Sequence, residues 1–443
     1  MNSTDFYKDR NSRSILTAGR VLDSLKPILL RSDLEYASRY DGQIAVITAA
    51  NLLSRMTPNV ALDIPEVQMV KPLPWAGGDL RALVLDMMSK ADPHANFQHR
   101  RVGNDDYVIH LGRSGATTIA HGSGWELYLG PGPSPLPDDE SPNPIGAALA
   151  AILSVSVLFR TNFVGSTEVT RLNAFDWTSN VKSIVVPEYR GDGDFGNIWV
   201  AGVGSVGTAA LFFLTLATRA YTPLLFDMDF VKDHNLDRSP IFFKGDVGLR
   251  KVDVTAEWLR QAGVSMVTGD PNALDESPLW KERQAGSPDI LIAAANERNV
   301  RPLIETCMPP IQIYGTTGKN WQSAMIRHLP MKEACSCCLF GEAEHAPTQC
   351  ATGSVTSNNG GGKVDAALPF SSFAAGVMAA AEILKINLPG FPFTPNKVVL
   401  NTQSRIFTQK VEIPFRKGCI CESRSSHVHR QMISGSRFGN LST

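Results

Sequence analysis

Apolar residues in this chain fall into short continuous runs, separated by turns rich in glycine and proline. The runs alternate between strand length and helix length. The clearest alternation begins at Ile198, where Ile-Trp-Val-Ala-Gly-Val leads through glycines into a helix-length apolar run. A second short run, Pro223 to Phe226, then closes on Asp227. Short runs bounded by turns read as buried strands and longer ones as helices. The same rule predicts a helix over Val252–Ala262, strands at Val264–Thr268 and Ile290–Ala293, and a helix opened by 294–301. It then gives strands at Ile311–Tyr314 and Gln322–Arg327, a helix over Ser371–Ile386, and closing strands at Lys397–Asn401 and Ile406–Val411. Strands alternating with helices specify a doubly wound α/β fold with a mainly parallel sheet.

Ahead of this lies a less regular half. Residues 1–15 read as a frayed tail, and the Ile, Leu and Val spacing over Ile15–Tyr40 fits one or two amphipathic helices. Ile44–Thr48 reads as a buried strand followed by a helix over Ala49–Met56, with further strands at Tyr107–Leu111 and Glu126–Leu129. A proline-rich loop, Gly130–Pro144, precedes an alanine-rich helix over Ile145–Phe159; strand and turn material from Gly165 leads to Arg190-Gly-Asp-Gly-Asp194. Two fragments echo the second half. Gly42–Val46 is similar to Gly196–Val200, and Pro144–Arg160 is similar to Pro369–Lys385. Chance likeness between alanine-rich helices is one explanation. The other is a degenerate copy of the second half, without glycine fingerprint or nucleotide. The expected domains are therefore 1–190, a degenerate α/β domain; 191–421, the nucleotide-binding domain; and 422–443, a disordered tail.

Composition narrows the class. The 443 residues carry a formal net charge of −1, so no global attraction to nucleic acid or acidic membranes is expected. The longest apolar run is too short for a bilayer, and the polar N-terminus has no signal-peptide core. Six of seven cysteines cluster after residue 334, which points to metal or thiol chemistry in a reducing compartment, and so to a cytoplasmic protein.

The candidate chemistry follows Ile198. Gly202-x-Gly204-x-x-Gly207 lets the backbone turn tightly and lets phosphate or ribose approach a helix N-terminus. Asp227 stands where a carboxylate bonds ribose hydroxyls. An NAD(P)-dependent oxidoreductase would show this much. Asp229, Asn235-Leu-Asp-Arg238 and Lys251 follow, and arginine and lysine there suit a triphosphate, whose charge they neutralise.

With Cys335-x-x-Cys338 added, this string of motifs, over roughly residues 195–421, resembles the ThiF superfamily of adenylyltransferases that activate ubiquitin-like proteins and sulfur carriers. A degenerate half fused to an active one is similar to eukaryotic activating enzymes, and among smaller relatives to those of bacterial ubiquitin-like conjugation operons with an antiphage role. The resemblance implies attack by a partner's C-terminal glycine carboxylate on the α-phosphate of ATP-Mg. By motif match Asp227 holds the ribose, and Asn235, Arg238 and Lys251 contact phosphates. The family's magnesium aspartate is replaced here by Asn296, with Glu297 next. Either Glu297 substitutes, or Asn296 holds Mg2+ through its carbonyl oxygen without charge. An arginine from the first half is also expected at the site, with Arg31 and Arg39 as candidates.

Cys335, Cys338, Cys419 and Cys421 are the expected structural zinc ligands, with Cys337 as a competitor and free thiols as the alternative. Cys307 reads as core. Cys350 opens a glycine-rich stretch, about 350–369, expected to be a mobile crossover loop. Related activating enzymes carry their thioester cysteine there, and a thiolate takes an acyl group covalently. The reading is an activating enzyme that passes its partner to Cys350 and then to a conjugating enzyme, as a homodimer or intrachain pseudodimer. The rival is a sulfur-carrier adenylyltransferase that stops at the acyl-adenylate.

Overall fold

The computed structural model describes residues 3–12, 14, 27–101, 107–115, 117–164, 169–179, 186–282, 287–295, 300–307, 309–318, 320–329, 333–335, 337–338, 354–356, 363–365, 367–393, 395–423, 437–438 and 441. Its first half holds β1 (Ile28–Ser32), β2 (Val60–Asp63), β3 (Gln98–His99), β4 (Tyr107–Leu111), β5 (Ile119–Ser123), β6 (Glu126–Gly130), β7 (Thr170–Asn173) and β8 (Thr178–Ser179). Its second half holds β9 (Asn197–Ala201), β10 (Thr222–Phe226), β11 (Thr268–Asp270), β12 (Ile290–Ala293), β13 (Ile311–Gly318), β14 (Gln322–His328), β17 (Lys397–Asn401) and β18 (Phe407–Val411). A separate ribbon pairs β15 (Ser354–Thr356) with β16 (Lys363–Asp365).

The two eight-stranded sheets have one topology. The first runs β3-β2-β1-β4-β5-β6-β7-β8, and the second β11-β10-β9-β12-β13-β14-β17-β18. In each, the first five strands of that order are parallel and the remaining pairings antiparallel. The helices match as well: Tyr40–Met56 and Ser205–Ala217 follow the first strand of their halves, and Leu80–Ala91 and Lys251–Gln261 follow the second. Ile145–Val164 and Pro369–Lys385 both link the sixth strand of their sheet to the seventh, so the echo between those two segments reflects a repeated element. The chain is an intrachain pseudodimer of two Rossmann-like α/β units.

The other echo is misaligned. Gly42–Val46 lies inside the helix Tyr40–Met56, whereas Gly196–Val200 leads into and forms most of β9. Ile44–Thr48 is helical, part of Tyr40–Met56, which is buried along its whole length. A helix apolar on every side loses the period that separates it from a strand. The true counterpart of β9 is β1, a strand at Ile28–Ser32 inside the region expected to be helical. One helical turn, Leu34–Ala37, stands after β1 where the second half has its glycines. Small shifts occur elsewhere: β11 sits at Thr268–Asp270, not Val264–Thr268, and the stretch expected to be a loop contains β15 and β16, whose Val355, Thr356 and Val364 favour extended backbone.

Described residues near both ends pack on the core. The helix Ser3–Arg10 buries Phe6 and Arg10, and Arg10 Nη1 meets Asp92 Oδ2 at 2.8 Å. In the tail expected to be disordered, Phe438 and Leu441 join the core and Arg437 pairs with Asp194.

The halves share one core. Pro369–Lys385 packs on Ser205–Ala217 within its own half and on Ile145–Val164 of the other. Phe159 meets Phe370 at 5.5 Å, and the Tyr40 hydroxyl donates to the Leu216 carbonyl at 2.9 Å. Trp177 Nε1 donates to Glu382 Oε1 at 2.9 Å, and Lys385 Nζ lies 4.8 Å from the Trp177 ring. Glu382 also receives Arg327 Nη1 at 2.6 Å, so these buried charges of the second half are paired with one another while Trp177 reaches them from the first. Among the described residues no helix is long and apolar enough to cross a membrane.

Candidate active site

The site forms at the carboxyl ends of β9, β10 and β12, where the strand order turns back at β9, the position at which open α/β sheets bind ligands. Gly202 adopts φ +91°, and a Cβ there would meet the Ala295 backbone nitrogen at 2.7 Å. A Cβ on Gly207 would meet the Gly202 carbonyl oxygen at 2.1 Å. Both positions therefore require glycine for the strand, turn and helix to close. Gly204 differs, since nothing lies within 4 Å of a Cβ built there, and it caps the helix Ser205–Ala217. Open space at the start of a helix is where amides and dipole receive an anion.

Asp227 follows β10 and is buried. Its Oδ2 accepts from the Val203 amide and its Oδ1 from the Asp229 amide, both at 2.9 Å. Burial raises its pKa above the usual carboxylate value, with the Lys251 ammonium opposing. Lys251 begins the helix Lys251–Gln261 and is shared between two acids: Nζ lies 2.7 Å from Asp229 Oδ2 and 3.8 Å from Asp227 Oδ1. Glycine turn, Asp227, Asp229 and Lys251 are thus one contiguous site. It offers a carboxylate for hydroxyl donors, a row of amides and a cation held between two acids.

Asn235 and Arg238 lie on the loop after Asp229. Asn235 Oδ1 accepts the Lys232 amide at 2.9 Å, so its carbonyl serves the local turn. Buried Arg238 pairs through Nε with Asp237 Oδ1 at 3.0 Å. Ser239 Oγ meets Thr208 Oγ1 at 2.9 Å, tying this loop to the helix one residue past Gly207. Asn296 and Glu297 lie outside the described residues, as does Cys350; Ala295, just before the first two, rests against Gly202.

Arg31 and Arg39 do not turn toward this site. Arg31 is 3.8 Å from Asp63, while Arg39 meets Asp138 at 2.7 Å and Asp41 at 3.3 Å, all partners in the first half. The arginine that does reach the nucleotide loop is Arg55. Its Nη1 donates to the carbonyls of Leu236 and Phe242 at 2.7 and 2.8 Å, and burial pulls its pKa down to about 9. Its signal in the chain is an arginine four residues after Asn51 within an otherwise apolar run. Ser14 adds a contact from the N-terminal segment, its hydroxyl donating to Asp237 Oδ2 at 3.3 Å.

The cysteine cluster forms as expected. Cys335 Sγ lies 3.8 Å from Cys338 Sγ and 3.5 Å from Cys419 Sγ, and Cys338 Sγ lies 3.4 Å from Cys421 Sγ. All four sulfurs fall within 4.8 Å of one another. A tetrahedral cation with ~2.3 Å bonds to sulfur spaces its ligands ~3.8 Å apart, so the set fits one. Cys337 is buried beside them but does not belong to this foursome. The Arg416 amide reaches Cys338 Sγ at 3.4 Å, an outer contact of the kind that orients metal thiolates.

Fold and site together define an α/β protein built as a fused pair of like domains, with a glycine-fingerprint turn in the second. The ThiF family model matches residues 194–421, about half of the chain, and the chain belongs to this family. The model of the BilD N-terminal domain matches residues 28–175. Among solved structures, Escherichia coli MccB with ATP is similar at 17% identity, over 51% of this chain and 66% of MccB, with a TM-score of 0.39. MccB of E. coli with AMPCPP and SeMet MccA gives 16% identity and the same coverage and score. At these values the likeness bears on neither activity nor substrate, and the chain spans just under two-thirds of MccB. No curated relative matches the chain.

Proposed function

We propose that this chain activates the C-terminus of a ubiquitin-like protein with ATP. The carrying observation is the joining of Asp227, Lys251 and an open Gly204 at one helix N-terminus. Asp227 accepts from the ribose hydroxyls, the Gly204–Gly207 amides face the phosphates, and Lys251 moves from Asp229 onto them. The partner's carboxylate oxygen attacks the α-phosphorus, the bond to the β-phosphate breaks, and pyrophosphate leaves with the acyl-adenylate formed. Positive charge from Lys251 stabilises the charge developing on the α-phosphoryl oxygens, and Arg238 neutralises the β- and γ-phosphates as pyrophosphate forms. Asn296 or Glu297 would hold Mg2+, which would add charge neutralisation at the phosphates. Cys335, Cys338, Cys419 and Cys421 would hold Zn2+, which would tie the segment after β14 to the one after β18.

The Cys350 thiolate then attacks the acyl carbon, AMP departs, and the thioester passes to a conjugating enzyme; antiphage conjugation is the setting we favour. The sulfur-carrier alternative ends at the adenylate. ATP–pyrophosphate exchange with a ubiquitin-like partner tests the first step. Lys251→Ala should lower exchange at least ~100-fold, and normal exchange in that variant would refute the assignment. Cys350→Ala should keep exchange and lose a thiol-sensitive partner adduct. Persistence of that adduct would leave only the adenylating role.

A further inference from the structure

The loop that carries Arg238 is held from both halves. On one side it is tied to Thr208 through Ser239. On the other, Arg55 of the first-half helix Tyr40–Met56 donates Nη1 to the carbonyls of Leu236 and Phe242 and Nη2 to that of Pro240, at 2.7, 2.8 and 3.1 Å. Asn51, one turn earlier, accepts Arg55 Nε at 2.7 Å and donates Nδ2 to the Pro240 carbonyl at 2.9 Å. Asn51 and Arg55 are both fully buried. An irregular loop that buries its carbonyls needs donors from elsewhere. A guanidinium serves three carbonyls at once because its donors form a rigid planar fork, which a lysine ammonium on a flexible stem does not reproduce.

We propose that Arg55, with Asn51, is a positioning residue through which the first half sets the Arg238 loop for the nucleotide's phosphates. This rests on the ATP reading above. Arg55 touches no phosphate; it fixes the backbone from Leu236 to Phe242, and so the point from which Arg238 reaches out. The first half is then a working part of the site, although it lacks a glycine fingerprint of its own. Its influence falls on the β- and γ-phosphates, and AMP, which has neither, is insensitive to it.

Calorimetry on the full chain with ATP-Mg and with AMP tests this, alongside thermal melts followed by circular dichroism. Arg55→Lys keeps the charge but breaks the fork. It should weaken ATP-Mg roughly tenfold or more, leave AMP within about twofold, and still melt cooperatively. Unchanged ATP-Mg affinity in the folded variant, or equal losses for ATP-Mg and AMP, overturns the proposal. Should Arg55→Lys fail to fold, Asn51→Ser gives the same comparison with an expected ATP-Mg loss of about threefold. Wild-type chain that binds no ATP-Mg would sink the ATP reading and this proposal with it. Wild-type binding with an indifferent Arg55 variant sinks the proposal alone.

Discussion

Asp41 shows how a single side chain outside the nucleotide site sets a measurable property of the fold. It is buried near the start of the helix Tyr40–Met56, where its Oδ1 takes the Gly42 amide at 2.9 Å and faces Arg39 Nε at 3.3 Å. Burial pushes its carboxyl from 3.8 up to about 6, with Arg39 and the Gly42 amide pulling the other way. The folded value lies above the unfolded one, so the native state favours the protonated acid. That contribution is complete below about pH 4 and is lost as pH rises through about 6. Asp41→Asn keeps the shape and has no proton to lose. Relative to the parent, the variant should therefore gain about 2 kcal/mol between about pH 4 and pH 7, read from melts across that range. Parallel pH profiles for the two proteins would contradict it. At this scale the meeting of the glycine turn with Asp227, Asp229 and Lys251 was legible from residue type and order, because glycine, aspartate and lysine each have few reasons to recur at those intervals. Arg55 was not legible, because its role depends on carbonyls more than 180 positions away.

Among elements, the second-half strands and helices were read nearly as they stand, because turns bound each apolar run sharply. The first half misled where burial erased the polar face: the helix Tyr40–Met56 looked like strand then helix, and β1 was hidden inside a stretch of mixed pattern. The cysteine pairs were legible as a set but not as a shape. Two short segments more than 80 residues apart meet only because β17 and β18 return beside β14. One zinc per chain should be found by elemental analysis of reduced protein. Cys338→Ser, or prolonged chelation, should lower the melting temperature by roughly 10 °C or more. Metal-free protein with an unchanged melt would reject the site.

For the whole molecule, the shared core predicts cooperativity. Trp177 of the first half is buried against the second: its indole bonds Glu382, its ring covers Lys385, and its carbonyl accepts Thr408 Oγ1 at 2.8 Å. The full chain should unfold in one calorimetric transition, and Trp177→Ala should shift that transition as a unit by about 3–5 kcal/mol. Two separate transitions, only one of them moved by the substitution, would show that the halves fold independently. The duplicated strand order also bears on how such a chain changes over generations. In a dimer of identical chains, one codon change alters both faces of the contact together. Here the faces are written separately, so Trp177 can be replaced while Glu382, whose carboxylate accepts its indole N–H, stands still. Repair then takes a second, independent event in the same gene. Each half drifts toward a shape that fits its neighbour and no longer fits a copy of itself.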